Sequence, residues 1–418
     1  MKHFLNLFLY DTVKYLAVSF LGLFSVILIA ENGAALNADI IEKYQYYFIV
    51  GASLILINRI IHFIKYNKLI MLPYSLSLYN RANNENKDTK IFLDRFKKYD
   101  KRKKIIYFKN RLSIDKKAYL DLKDRIIHLL GYEKKKEIEI EIEAHKTKEV
   151  AIRTYELPRF FEWNTYYLKL EHIYIGHDKN GRYFLPLKDL TSTICCGESG
   201  AGKSNFLNMI IFSLLHNSDY IDKLDFIDLK GVELSRYKLK NTTFTDNIEE
   251  TEILLENLKN EMNLRFKEMK EKGDLNYDGK YKICLIDEIG TISTHYNKKA
   301  KENIFNSLIE IAQKGRASKV ILLIFSQKID STNIPTNVLT NLQSSYLLRT
   351  SSQFNINNSI GLQEEIEEIT RIRPQDFPKG RLIYKDGLSS EKILLQTPYL
   401  SPYIQGYMIK HFQSWINK

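Results

Sequence analysis

The chain has 418 residues, room for two or three domains. Hydrophobic residues make up 44% and charged residues 27%, the balance of a folded protein and not of a low-complexity one. A net charge of +12 points to a polyanionic partner, nucleic acid or an anionic membrane surface. The three cysteines, Cys195, Cys196 and Cys284, lie in apolar runs without C-x-x-C spacing, and read as buried thiols of a reducing compartment.

The first predicted elements are two membrane helices. "YLAVSFLGLFSVILIA" (15–30) and "YQYYFIVGASLILINRIIHFI" (44–64) are apolar runs near the length a bilayer core demands. A cleaved signal peptide is the rival for the first, and a buried helical hairpin the rival for both. Lys2 and Lys14 precede the first run, and Arg59, Lys65, Lys68 and Arg81 end or follow the second. Between the runs Glu31, Asp39 and Glu42 outnumber Lys43. The expectation is a multi-pass anchor in the cell membrane, residues 1–70, with both termini cytoplasmic.

Residues 71–136 read as a charged linker or helical region, whose basic run "KKYDKRKK" (97–104) suits lipid headgroups, DNA phosphate or plain solvent. Residues 137–190 read as a small β-rich lead-in. "EIEIEIEAHKTKEVAIRTYEL" alternates apolar and charged positions, and Lys179-Asn180-Gly181 marks a hairpin turn.

Residues 191–400 carry the chemistry, with a tail expected over 401–418. "TSTICC" has strand character, "NFLNMIIFSLL" has helical spacing, and between them stands G-x-x-x-x-G-K-S. Strand, glycine loop and helix are the context of a phosphate-binding P-loop. Gly197, Glu198, Ser199, Gly200, Ala201, Gly202, Lys203, Ser204 and Asn205 are its expected nucleotide-binding residues. Lys203 is expected on the β/γ-phosphates and Ser204 on Mg²⁺, with ATP the implied nucleotide.

Three more strands supply candidates. "KLDFIDLKGVEL" (223–234) ends in Asp228, Lys230, Gly231 and Glu233, a crevice edge or a simple βα turn. "YKICLIDEIGTI" (281–292) ends in Asp287, expected on Mg²⁺, and Glu288, expected to orient or deprotonate the attacking water. "KVILLIFSQKID" (319–330) breaks at Ser326-Gln327-Lys328, where Gln327 reads as a γ-phosphate or water contact. Arg316 closes the preceding helix, either as a helix-end charge or as an arginine finger for a neighbouring subunit. Strands alternating with helices predict an α/β domain with a largely parallel sheet.

In order, "GESGAGKSN", "FIDLKGVELSRY", "ICLIDEIGTI", "IAQKGRASKVILLIFSQKID", "IPTNVLTNLQSSYLLRTSS" and "RPQDFPKGRLIY" resemble the FtsK/SpoIIIE family of DNA-translocating ATPases over roughly residues 170–390. The departures are Leu229 where the family has proline, Lys328 where arginine is common, and "SKVI" after "GRA". The resemblance implies a RecA-like motor, a homo-hexameric ring, and double-stranded DNA moved at the expense of ATP. It implies Asp287 and Glu288 as the Walker B pair, Gln327 as sensor amide and Arg316 as an intersubunit residue. Two spans before a single motor are most similar in layout to TcpA-like conjugative coupling proteins, which implies a relaxase or relaxosome and secretion-channel proteins as partners. A partition translocase, a type VII-like export ATPase and a nucleotide-gated membrane adaptor are the other readings. The whole is expected to be a RecA-like domain preceded by two transmembrane helices and a small α+β linker domain.

Overall fold

The computed structural model describes residues 38–416, apart from 77–78, 82–90, 94, 110–115, 132–138, 145–148, 156, 331 and 371. The expected membrane run at 15–30 lies outside these residues. The chain divides into two compact units, Met1–Glu156 and Leu157–Lys418.

In the first unit, helix α1 (Ala38–Ser75) leaves helical geometry at Tyr66 and contains Pro73. Its stretch Ile49–Pro73 has a mean hydropathy of 1.4, none of it buried in the strongest window, and is long and apolar enough to cross a bilayer. A small pairing joins β1 (Tyr79–Arg81) and β2 (Ile91–Leu93). Then β3 (Arg95–Asp100), β4 (Ile105–Lys109), β5 (Glu139–Ala144) and β6 (Glu149–Tyr155) form an antiparallel sheet of order β3-β4-β6-β5. Alternation works here as expected: Ile140 and Ile142 of β5 are buried on one face. They pack with Ile106, Phe108, Val150 and Ile152, with Tyr119 of α2 (Lys116–Asp121) and Ile126 of α3 (Lys123–Gly131), and with Leu72 and Leu76. The basic run ends β3 and forms the tip of the β3–β4 hairpin, where Asp100 Oδ1 accepts from the N–H groups of Arg102 and Lys103.

The expected boundaries at 136 and 190 differ from this arrangement. Strands from 95–109 pair with strands from 139–155, so one sheet takes residues from both the expected linker and the expected lead-in. The predicted hairpin, β7 (His172–Asp178) and β8 (Gly181–Pro186), belongs instead to the second unit. Its turn is closed by Asp178 Oδ1 accepting from Asn180 N–H at 2.7 Å.

The second unit is built on a ten-stranded mixed sheet. Its other strands are β9 (Thr193–Cys196), β10 (Ile221–Asp228), β11 (Thr242–Thr245), β12 (Tyr281–Asp287), β13 (Val320–Ser326), β14 (Ser344–Leu347), β15 (Arg381–Lys385) and β16 (Lys392–Gln396). The order is β11-β10-β12-β13-β9-β14-β15-β16-β7-β8. The first six run parallel; from β14 onward each pairing is antiparallel. All seven residues of β13, "VILLIFS", are buried, the mark of a strand covered on both faces. One face carries α4 (Lys203–His216), with Phe206, Phe212, Trp163 and Tyr237. The other carries α5 (Ile248–Lys272) and α6 (Lys298–Lys314), with Leu255, Met262, Ile304 and Leu308. Asn247 caps α5 by accepting from Glu249 and Glu250 N–H, and left-handed Gly273 ends it. A short helix, α7 (Gln353–Ser359), follows β14. Residues 401–418, expected as a tail, hold helix α8 (Pro402–Ile416), whose Met408 and Phe412 are buried on the α4 face. Phe412 lies 5.9 Å from the Phe212 ring.

Candidate nucleotide site

The carboxyl ends of β9, β10, β12 and β13 open on one edge of the sheet, where α/β sheets hold ligands. From β9 the chain enters the expected P-loop and then α4. Gly197 N–H donates to Ser326 O at 3.3 Å and Glu198 N–H to Arg349 O at 3.0 Å, so the loop hangs between the two strands flanking β9. Gly200 and Gly202 have φ of +76° and +108°, where a side chain is strained. A Cβ on Gly197 would lie 2.8 Å from Leu348 Cβ, and one on Gly202 would lie 3.1 Å from the Gly380 nitrogen. Gly380 N–H also donates to Ala201 O at 2.9 Å. The glycines are therefore required by backbone conformation and by contacts behind the loop. Gly202 precedes α4, so the positive end of that helix faces the crevice.

Lys203, at the start of α4, is 9% exposed and reaches Glu288, with Nζ 3.3 Å from Oε2. Glu288 follows β12 at φ +55°. Its Oε1 accepts from Ser326 Oγ and from Gln327 N–H, both at 3.2 Å. Lys230 Nζ lies 3.7 Å from the same Oε2 that Lys203 pairs. Burial pushes the Glu288 carboxyl up, but Lys203, the Gln327 N–H and Lys230 together hold it below its ordinary range. It is therefore a carboxylate at neutral pH, fit to orient or deprotonate water.

Asp287 is the opposite case. Burial raises its carboxyl to about 6; Lys203 opposes the shift, while Asp228, Glu288 and Glu233 add to it. Such a concentration of negative charge fits a divalent cation, which would relieve it. Asp287 and Ser204 are the groups that would hold Mg²⁺, which binds through one or two protein oxygens plus phosphate and water.

Asp228 is spent otherwise. It ends β10, is 1% exposed, and accepts from five backbone N–H groups. Oδ1 takes Lys230 and Gly231, and Oδ2 takes Val232, Glu233 and Leu234, at 2.9–3.2 Å. Of the polar cluster after β10, only Lys230 reaches the carboxylate across the crevice.

Two expected nucleotide residues likewise use their side chains inside the fold. Glu198 Oε1 accepts from Ser351 N–H and Oγ, each at 2.6 Å, and from Thr350 Oγ1 at 3.2 Å. The Ser351 donors hold that carboxyl below its usual range. Asn205 donates to Pro398 O at 2.8 Å and accepts from Leu400 N–H at 2.7 Å, tying α4 to the segment before α8. Gln327, expected to act through its amide, contributes its backbone: N–H to Glu288, and O to Asn355 Nδ2 at 2.9 Å. Asn355 also donates to Thr350 Oγ1 at 3.1 Å and accepts from Ile329 N–H at 3.0 Å. This buried amide staples the ends of β13 and β14 together behind the P-loop. Arg349, Thr350, Ser351 and Asn355 received no role from the sequence; the signal was the abrupt change from "YLL" to "RTSS". Arg316 stands apart. It is exposed at the amino end of β13, a seven-residue strand, so it sits ~20 Å from the crevice edge of its own chain.

Residues 172–304, from β7 into α6, match the model of the FtsK/SpoIIIE family. Over those residues the chain is similar to that family. Among curated relatives, the DNA translocase SftA of Bacillus subtilis is 24% identical over 259 residues, 57% of this chain and 26% of the relative. The DNA translocase FtsK of Corynebacterium efficiens is 27% identical over 207 residues, 43% of this chain and 21% of the relative. The chain thus spans about a quarter of the length of the curated relatives it matches. Its fold is similar to that of the pCW3 conjugation coupling protein TcpA, solved as a monomer with ATPγS. That likeness has a TM-score of 0.51 at 21% identity, over 76% of this chain and 93% of that one.

Proposed function

We propose that the chain is a membrane-anchored, ATP-driven DNA translocase, the coupling protein that moves DNA during conjugative transfer of a plasmid or integrative element. The observation that carries the reading is the meeting of Lys203, Asp287 and Glu288 at one edge of an FtsK/SpoIIIE-family sheet. In this reading the backbone of residues 197–204 cradles the phosphates and Lys203 takes the β/γ oxygens. Ser204 and Asp287 would hold Mg²⁺, which would supply positive charge against the γ-phosphate. Glu288 orients the attacking water, and Gln327 fixes Glu288 through its N–H and reads the γ-phosphate through its amide.

The remaining parts follow from the same reading. Arg316, far from its own site, completes the site of the next subunit in a homo-hexameric RecA-like ring. The net charge of +12 supplies non-specific contacts to DNA phosphate. Two membrane helices keep both termini cytoplasmic, and a relaxase or relaxosome and a secretion channel are the partners.

The test is ATP hydrolysis by the detergent-solubilised full chain, with and without duplex DNA, beside Lys203→Ala and Glu288→Gln. Stimulation by DNA that weakens as salt rises, and that both variants abolish, is the expected result. Hydrolysis indifferent to nucleic acid but raised by a polypeptide substrate would replace the DNA pump with an export ATPase.

A further inference from the structure

The crevice holds a cation that the phosphate-binding loop does not account for. Lys203 and Lys230 pair with one oxygen of Glu288, at 3.3 and 3.7 Å, so their ammonium groups are at most about 7 Å apart. They reach it from different elements, Lys203 from α4 and Lys230 from the loop after β10. The other Glu288 oxygen is already taken by Ser326 and Gln327.

The loop that carries Lys230 is built to a fixed shape. The buried Asp228 carboxylate gathers five successive or near-successive N–H groups around itself. Gly231, at φ +68°, makes the turn that this wrapping requires. Lys230 itself is half exposed, a compact charge on a flexible stem rooted in a rigid base. A rigid loop is not needed to leave a lysine in solvent, and the Lys230 side chain instead turns toward the Glu288 carboxylate.

We propose that Lys230 is a second phosphate-binding cation of this site, pairing with Glu288 while the site is empty and contacting the γ-phosphate when a nucleoside triphosphate is bound. The proposal rests on the nucleotide reading above and goes beyond it in assigning triphosphate-over-diphosphate preference to a residue outside the P-loop. Lys203 serves both nucleotides through the β-phosphate; Lys230 distinguishes them.

The test measures binding of fluorescent mant-ATP and mant-ADP, with Mg²⁺, to the full-length chain in detergent. A Glu288→Gln background stops turnover and removes the carboxylate that Lys230 pairs with, isolating its contact with phosphate. Adding Lys230→Ala is expected to weaken ATP binding ~10-fold or more while ADP binding changes by less than ~2-fold. Lys230→Arg, which keeps the charge, is expected to recover most of the preference. Equal loss for both nucleotides, or no loss for either, would overturn the proposal and leave Lys230 as a partner of Glu288 alone. Failure of the parent Glu288→Gln chain, with Lys230 intact, to bind either nucleotide would overturn the nucleotide reading itself. Lys230 is half exposed, so thermal melting of the variants should match the parent and exclude misfolding as the cause.

Discussion

Asp228 and Asp287 stand opposite each other in the register of β10 and β12, one at the end of each strand. Both are acidic, both close an apolar parallel strand, and both face the same edge. Asp228 has every lone pair it needs met by backbone N–H groups and serves as the hub of a loop. Asp287 is crowded by other carboxyls and held near a pKa of 6, so it is charged only at a cost that a cation would remove. What separates the two is the set of groups around each carboxylate and not its place on the strand.

The sharpest test of that division concerns the neighbour of Asp287. Glu288→Gln keeps the shape of the carboxylate and removes its charge. Hydrolysis should fall ~10²–10⁴-fold with nucleotide binding retained, read by phosphate release and by nucleotide titration. Undiminished hydrolysis would mean that β12 ends in a structural acid after all.

On the structural side, Asp228→Ala removes the buried carboxylate that five loop N–H groups share. About 3–5 kcal/mol of stability should be lost, seen as a fall of ~6–12 °C in the melting temperature. An unchanged melting curve would show that the loop does not depend on its hub.

The opposite sign is expected at Asp287. Its folded pKa, about 6, lies above the unfolded value near 3.9, so the folded state holds the proton more tightly. The resulting penalty is absent below about pH 4, grows through the window from 4 to 6, and is complete above it. Asp287→Asn, without nucleotide or metal, should therefore be more stable than the parent by about 1–3 kcal/mol at pH 7.5, and no more stable at pH 4. A melting temperature at pH 7.5 equal to or below the parent's would contradict this.

The smallest effect is expected at Asn205. Asn205→Ala removes two hydrogen bonds to the segment before α8. A loss of about 1–2 kcal/mol is expected, with nucleotide affinity within ~2-fold of the parent. A large loss of affinity with little change in melting would return Asn205 to the nucleotide site.

The site was legible in the sequence wherever chemistry imposes a local pattern. The P-loop glycines at 197, 200 and 202 are forced by backbone geometry and close packing, so their spacing survives in one dimension. The same holds for Lys179-Asn180-Gly181 and for the acidic break after β12. What stayed hidden is non-local. Nothing near "KKYDKRKK" shows that it closes a hairpin whose second strand pairs with residues 149–153. Helix α8 reads as a tail until Phe412 meets Phe212, about two hundred residues earlier in the chain. Glu198 and Asn205 look like ligand groups because they sit in the motif, and only their partners at 350–351 and 398–400 show that their side chains bond within the fold.

Glu288 sits at φ +55°, a conformation that glycine adopts freely and glutamate does not. Glycine there would relieve that strain but would also remove the carboxylate that pairs with buried Lys203 and accepts from Ser326 and Gln327, so one residue holds both the strain and the contacts that keep it in place.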